Sequence, residues 1–536
     1  MFRFSQKPVF FVIFLVALCL AASSATAFDI FSKQYKRIHK NGMQAIIAGH
    51  PDTAISAMQK YAEMQPEDAE TWYVVAVAET DRGDLEAAQA AVEKAIDLGL
   101  PAERFLAGPR GLLQPLLDYE PFQQFITGKY IEPIHGPMLG TVTDHSARFW
   151  LRTASELPVT IQVSTAPSFE NPVSSETVST ESEREFTAVL EVARLEPRTE
   201  YHYRAVVDGT PDERVYQFRT YPVTGQPAAF RVGFGGGAGY VPEHEHMWNV
   251  INDREPLAFF LLGDNVYIDK PDYPNLQRYC YLRRQSRPEF RQFSAEACIY
   301  AIYDDHDFAD NDCWNGPLIE LPPWKRPVWR LFSHNWVNPY YGGGEEQPGC
   351  WFHARIADVD FIFLDCRYYR TNPRRSDRSM LGPVQKAWLF DRLKRSDGRF
   401  VVISSSVPWA KGTKPGSLDT WDGFPEEREE IFSFIEENKI EGVVLLSADR
   451  HRSDAWKIER PNGYDFYEFE SSRLTNQHVH KTMEKAVLSY NEKQSFGMLD
   501  FDTTKDDPTV TYTIFSIDAE PVHTLELKLS QLSFER

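Results

Sequence analysis

Leu257-Ala258-Phe259-Phe260-Leu261-Leu262-Gly263-Asp264-Asn265-Val266-Tyr267 is a short apolar run that stops abruptly at a glycine and an acid. The same ending recurs along the chain. Cys298–Tyr303 stops at Asp304-Asp305-His306-Asp307, and Val359–Leu364 stops at Asp365. Val443–Leu446 leads to Ser447-Ala448-Asp449-Arg450-His451. From about residue 230 onward such runs alternate with helical stretches, which predicts an α/β domain. In an open α/β sheet, ligand sites lie outside the carboxyl ends of the strands. Four strand ends that each deliver an acid to that edge crowd negative charge into one crevice, which is costly unless compensated. A bound multivalent cation is the simplest compensation.

The residue types sharpen this expectation. Asp264 and Tyr267 are three apart just past a strand, where both could reach one hard cation. A tyrosinate ligand argues for a strongly Lewis-acidic metal such as ferric iron; the plainer alternative is that Tyr267 packs on the domain. Asp449 and His451 flank Arg450 and can direct alternate side chains to the same crevice. His306 has three acidic neighbours, which raise its pKa and favour an imidazolium able to donate to an oxyanion or leaving group. The run Gly235-Gly236-Gly237-Ala238-Gly239 has two readings. Backbone N–H groups at Gly236 and Gly237 cradle a phosphate, or glycine simply lets the loop pass close to the metals. Its spacing is neither a Walker nor a Rossmann pattern. Arg367 and Arg370 either clamp substrate oxygens by forked hydrogen bonds or pair with the surplus acids. Asn476, His478 and His480 are further candidates.

Outside this region the periodicity changes. Between about Ile134 and Tyr221 it is two, as in Ala147–Arg152, Thr160–Val163 and Tyr201–Val206, predicting half-buried strands. Leu195–Tyr203 resembles the corner of a fibronectin type III sandwich, a module expected to space or brace a catalytic domain. Between about Lys40 and Leu100 the pattern is helical. Gly49, Ala54 and Pro66 recur 34 residues later as Gly83, Ala88 and Leu100-Pro101, resembling about one and a half tetratricopeptide repeats. This unit is expected to pack on its neighbour, with contact to a protein partner as the alternative.

At the N-terminus, Arg3 and Lys7 precede the apolar run Pro8–Leu20 and the small-residue pattern Ala25-Thr26-Ala27. That order predicts a secretory signal peptide, and hence a secreted or periplasmic protein with no stable membrane span. Cys280, Cys298, Cys313, Cys350 and Cys366 lack the C-x-x-C spacing of a zinc or redox site, and up to two disulfides are expected. Lys and Arg number 57 against 77 Asp and Glu, for a net charge of −20 over 536 residues. This balance argues against nucleic-acid binding, which needs a basic face. With 42% apolar residues the composition is that of a globular protein.

Five motifs together carry a family resemblance. Gly263–Tyr267, Tyr303–Asp307, Leu364–Arg370, Leu381-Gly382-Pro383-Val384-Gln385-Lys386-Ala387-Trp388-Leu389 and Ser447–His451 resemble the ordered motifs of the PhoD-like alkaline phosphatase/phosphodiesterase family. The resemblance implies a four-layer metallophosphoesterase fold, two central sheets flanked by helices. The expected organisation is a signal peptide over 1–27, a helical tetratricopeptide-like region over 28–132, a fibronectin type III-like β-sandwich over 133–222 and the catalytic domain over 223–536. It also implies iron and calcium as cofactors and a phosphate monoester or diester as substrate. Carried over by position, Asp264 bridges metals and Tyr267 binds the iron, with Asp305, Asp449 and His451 at ligand-type positions. His306 falls at the position that contacts the phosphoryl group; beside this, His306 and Arg450 are the expected catalytic residues, and Asn265, Arg367, Arg370, Gly236 and Gly237 the expected substrate-binding ones. The implied reaction is hydrolysis by a metal-bound hydroxide with His306 assisting departure.

The chain departs from this pattern where the family has Ser-Cys after its first strand, the cysteine being an iron ligand. Here Arg231-Val232-Gly233-Phe234 enters the glycine run with no thiol, which leaves metal identity and number open. Ala448 also stands where glycine is common. His244-Glu245-His246 offers a substitute ligand or simply a charged helix start. Two other classes fit parts of the sequence. One is a metal-independent glycosidase using paired carboxylates, which chelator resistance would favour. The other is an exported binding or scaffold protein with a decayed phosphatase site.

Overall fold

Glycines at matched positions end two helices of the first unit. The computed structural model describes residues 37–534, and the expected signal peptide lies outside them. Helices Ile38–Ile47 and Pro51–Met64 form one hairpin, and Ala69–Arg82 and Leu85–Asp97 form a second. Gly49 (φ 81°) and Gly83 (φ 85°) take the left-handed turn that closes a helix. Asp68 and Asp84 cap the next starts by accepting the N–H of Thr71 and Ala87. Ala54 and Ala88 are buried, as small residues at helix crossings should be. The repeat is therefore two full hairpins rather than one and a half. They form a compact unit ending at Leu100. Three short helices beyond it, Glu103–Ala107, Arg110–Leu117 and Glu120–Ile126, belong to the second unit, Pro101–Arg536.

The period-two segment is a two-sheet antiparallel sandwich. His135–Gly140, Ser146–Arg152 and Thr187–Ala193 form one sheet. Pro158–Ser164 and Glu200–Val207 centre the other, with short strands at their edges. Tyr201 accepts the N–H of Glu196 on its hydroxyl at 2.9 Å, the back-bonded corner that the sequence suggested. Polar contacts fasten the sandwich to the α/β domain. Tyr203 donates to the Ala295 carbonyl at 2.6 Å, the Trp150 indole to His334 O at 2.8 Å, and Thr141 to Val337 O at 2.8 Å.

The strands read from the sequence form the inner layers of the remaining domain. One sheet runs in the order Cys298–Ile302, Ala258–Leu262, Ala229–Gly235, Ser495–Asp502, Thr509–Ser516, Pro521–Lys528, its first three strands parallel. The other centres on parallel strands Val359–Phe363, Phe400–Ser404, Val443–Ser447 and Phe466–Ser471. Aromatic side chains join the two sheets: Phe260 meets Phe361 and Phe363 at 5.1 and 5.0 Å between centroids, and Phe469 meets Tyr512 at 4.4 Å. Each such buried ring stabilises by about 1.5–3 kcal/mol relative to exposure. Helix Pro288–Glu296 covers the first sheet through Phe293 on Phe259, and helix Pro425–Glu437 covers the second through Phe432 on Phe466. Helix, sheet, sheet and helix make the four-layer metallophosphoesterase sandwich.

All five cysteines of the described residues are buried free thiols, so the expected disulfides are not formed. No helix among those residues is long and apolar enough to cross a membrane.

Candidate active site and metal centre

The loop after strand Ala258–Leu262 is fixed from several sides. Gly263 has φ 108°, and a Cβ there would lie 2.5 Å from that of Asp304, so only glycine fits. The N–H groups of Asn265 and Val266 both donate to Asp307 at 2.9 Å, and the Asp264 carbonyl accepts from Ala238 N–H at 2.8 Å. The loop thereby holds Asp264 in the left-handed region (φ 56°) and 98% buried. Neither of its carboxylate oxygens has a hydrogen-bond partner among the described residues. Burial, reinforced by the charges of Asp305, Asp304 and Asp307, pushes its pKa well above the usual carboxylate range even though His306 opposes this.

Asp305 and His306 open the short helix Asp305–Phe308 at the neighbouring strand end. Asp264, Asp305 and His306 each bring a ligand-type atom within 4.8 Å of the other two. His306 stacks on the Tyr267 ring at 4.8 Å between centroids, and its Nδ1 pairs with Asp269. Burial lowers the His306 pKa, but Asp264, Asp305 and Asp269 outweigh it and raise it to about 10. The direction is that expected from the sequence, but two of the acids responsible, Asp264 and Asp269, come from the other loop. The Tyr267 hydroxyl accepts from Asn476 Nδ2 at 2.6 Å. Burial, then the charge of Asp264, pushes this phenol well above its ordinary range.

Asp449 and His451 follow strand Val443–Ser447, both left-handed (φ 73° and 47°) and nearly buried. A Cβ at Gly237 would stand 3.4 Å from His451 Nδ1, and Gly237 N–H donates to Gly263 O, so His451 adjoins the Asp264 loop. Burial drives the His451 pKa well below its ordinary value, helped by His478, His480 and His306. This favours the neutral imidazole, and its Nδ1 lacks a hydrogen-bond partner among the described residues. Arg450 lies against Asp449 at 3.6 Å and donates to Thr413 O.

Several expected roles do not survive the geometry. Arg367 is fully buried; it donates to Asp304 at 2.5 Å and to both oxygens of Asp419 at 2.8 and 3.3 Å. Arg370 pairs with Asp419 at 2.9 Å. Both neutralise acids rather than clamp substrate. The N–H groups of Gly236 and Gly237 donate to Ser471 O and Gly263 O, so neither is free to cradle a phosphate. The glycines are steric requirements: a Cβ at Gly236 would sit 2.7 Å from that of Ala448. Asn265 is turned inward, its amide donating to Ile302 O. Asp365 does not reach the crevice, because Arg367, Tyr368 and Cys350 donate their N–H groups to it. His244 binds the Thr475 carbonyl and Glu245 pairs with Arg284, which suits the helix-start reading.

Sequence reasoning missed Asp269, Asp312, Lys414 and Asp419. Asp305, Asp312 and Asp419 form a second acidic group with ligand-type atoms within 4.8 Å, and the Lys414 ammonium lies against it.

Residues 232–512, more than half of the chain, match the model of the PhoD-like phosphatase family. The chain belongs to that family. Residues 132–222 match the family's N-terminal domain. Alkaline phosphatase D of Bacillus subtilis (strain 168) is 25% identical over 314 residues, which cover 49% of this chain and 53% of that protein. The chain thus spans about half the length of this curated relative. Among solved structures, PhoD superposes with a TM-score of 0.60 at 18% identity, covering 75% of this chain and 92% of that one. A purple acid phosphatase from yellow lupin seeds (Lupinus luteus) gives 0.54 at 11% identity, covering 74% and 75%. Both show the shared metallophosphoesterase fold.

The donor set fits a hard metal ion. Asp264, Asp305 and His306 bring ligand-type atoms together, and Asp264 is a buried acid with both oxygens unspent, which a cation would satisfy.

Proposed function

We propose that this chain is an exported, metal-dependent phosphoesterase that hydrolyses phosphate monoesters or diesters. The observation that carries the reading is the unpartnered Asp264 carboxylate beside Asp305 and His306, at the carboxyl edge of two parallel strands. Asp264, Tyr267, Asp305 and, across Gly237, His451 are the residues proposed to hold the metal, with Asp449 at the edge of the set. A metal ion there would supply Lewis acidity to the phosphoryl oxygens and activate an attacking water.

The chain's own groups do the rest. Asp269 fixes the imidazole of His306, and the Tyr267 face limits its rotation. His306 enters the reaction protonated and offers its other nitrogen to the leaving oxygen. Arg450, tied to Asp449, is proposed to steady phosphoryl charge. Asn476 donates to the Tyr267 oxygen and so favours its anionic form.

Ferric iron is the proposed ion at Tyr267, because a phenol raised this far by burial yields its proton only to a strong Lewis acid. Calcium, which takes about six to eight oxygen ligands, is the alternative occupant, with Asn265 Oδ1 and Asp304 Oδ2 adding unpartnered oxygens to Asp264. The run Pro8–Leu20 ahead of Ala25-Thr26-Ala27 supports export.

The test is elemental analysis together with hydrolysis of nitrophenyl phosphate and bis-nitrophenyl phosphate before and after chelation. Activity on these esters that survives complete metal removal would refute the metal-dependent reading. A visible charge-transfer band that vanishes in Tyr267→Phe would identify the iron.

A further inference from the structure

The two ends of the acidic crevice are satisfied in opposite ways. At one end, Asp264 is buried and neither oxygen accepts a hydrogen bond. At the other, the carboxylates are already engaged. Asp419 takes Arg367 and Arg370 on Oδ1 at 2.8 and 2.9 Å, and Arg367 and Lys414 on Oδ2 at 3.3 and 3.0 Å. Asp305, shared by both ends, accepts the N–H of His306 on one oxygen and that of Asp312 on the other, at 3.0 and 2.7 Å.

Lys414 is the centre of this second end. Its ammonium is 2.9 Å from Asp312, 3.0 Å from Asp419 and 3.5 Å from Asp449, and its side chain is only 18% exposed. An ammonium has three protons and no acceptor, and three carboxylates surround this one. The loop that brings it in follows strand Phe400–Ser404 and is pinned beneath by Trp409 stacked on Trp421 at 4.4 Å. Lys414 is therefore a built-in part of the site.

We propose that Lys414 is a covalently attached second cation of the centre: it fills the Asp312–Asp419–Asp449 end, and the crevice accepts one metal ion, at Asp264. This rests on the metal-dependent reading above. The lysine is a positioning residue, acting on substrate only through Asp449 and the charge balance of the crevice. An ion entering at Asp419 would have to displace Lys414 and compete with two buried guanidinium groups. Removing the ammonium frees oxygens on Asp312, Asp419 and Asp449, a hard donor set suited to calcium.

The experiment counts metal ions. The purified chain and its variants are stripped with chelator and reloaded with ferric iron and then calcium. Bound metal per chain is measured by elemental analysis, and calcium binding by titration calorimetry. The parent chain should hold one ion, lost in Asp264→Asn. Lys414→Met should bind one calcium more than the parent, Lys414→Met with Asp419→Asn should lose that extra ion, and Lys414→Arg should keep the parent count. Circular dichroism melts establish that each variant is folded, with Lys414→Gln as the alternative if the methionine variant is not.

Two ions in the parent, or a folded Lys414→Met with no additional calcium, would overturn the proposal while leaving metal dependence intact. A parent chain that takes up no metal would sink the metal-dependent reading and this one with it. The parent count alone keeps the proposal open to refutation even if every Lys414 variant misfolds.

Discussion

Asp269→Asn isolates the group that orients His306. In the structure Asp269 holds Nδ1 while Tyr267 stacks against the ring. Asparagine keeps the shape and one acceptor oxygen but removes the charge. A hydrogen bond involving charged groups contributes about 1.5–3 kcal/mol, and 1.36 kcal/mol corresponds to tenfold in rate. If the interaction is made in full in the transition state, turnover on an ester with a poor leaving group should fall by about 10- to 150-fold. Nitrophenyl esters need little protonation as they depart and should lose less. Asp269 is one of three charges that hold the His306 pKa at about 10 against burial. Losing it should move the alkaline limb of turnover to lower pH. The assay is the pH dependence of kcat and KM on an alkyl and a nitrophenyl phosphate, with metal content measured in parallel. Metal loss would make Asp269 a ligand, and unchanged turnover with an unmoved alkaline limb would show that it orients nothing.

Other perturbations test other parts of the site. Asp264→Asn should lose metal, yet the metal-free variant should melt higher than metal-free parent, because a buried, unpartnered carboxylate is gone; calorimetry of the two stripped proteins decides. Arg367→Met breaks a buried pair and should destabilise by about 3–5 kcal/mol in denaturant titrations, whereas a raised KM at unchanged stability would restore the substrate clamp. Gly236→Ala should destabilise by about 1–3 kcal/mol through overpacking, and Ala448→Gly in the same chain should recover most of that, as a double-mutant cycle would show. The raised His306 pKa makes its contribution to metal-free stability complete below its unfolded value near 6.5 and lost as the pH rises through about 10; His306→Ala should flatten that slope in melts run across this range.

The fold was legible because the decisive strands announce themselves. Ala258–Leu262, Cys298–Ile302, Val359–Phe363 and Val443–Ser447 are the expected runs to within a residue or two, since continuous apolar segments cut off by glycine or acid suit buried parallel strands. The site was legible only where its residues adjoin those strand ends. Asp419 and Lys414 lie well beyond strand Phe400–Ser404, which ends in serines, so no local signal tied them to the crevice. The role of Arg367 could not be decided without Asp419, because a guanidinium clamps substrate or pairs with an acid according to what folds against it. Asp365 carried the same strand-end signal as Asp264, but its oxygens accept from Arg367 and Tyr368 in its own turn and from Cys350 N–H and the Tyr303 hydroxyl. Only the accounting of hydrogen bonds separates the two.

Backbone conformation explains why the remaining geometry was hidden. Asp264, Tyr267, Asp269, Asp449 and His451 all lie in the left-handed region, with φ between 47° and 73°. Each such residue costs about 1–3 kcal/mol and persists only where its surroundings over-determine it. Here the surroundings are specific: Asp307 holds two N–H groups of the Asp264 loop, and Ile268 and Asp269 both donate to the His306 carbonyl. These contacts hold the left-handed residues of the Asp264 loop in place and keep them from relaxing. The fold then neutralises one end of the crevice with Arg367, Arg370 and Lys414, which cannot leave. That arrangement leaves the Asp264 carboxylate, with Asp304 Oδ2 beside it, without hydrogen-bond partners among the described residues. On the proposed reading, a site built this way would take an exchangeable cation at one place, without needing one to hold the rest of the acids together.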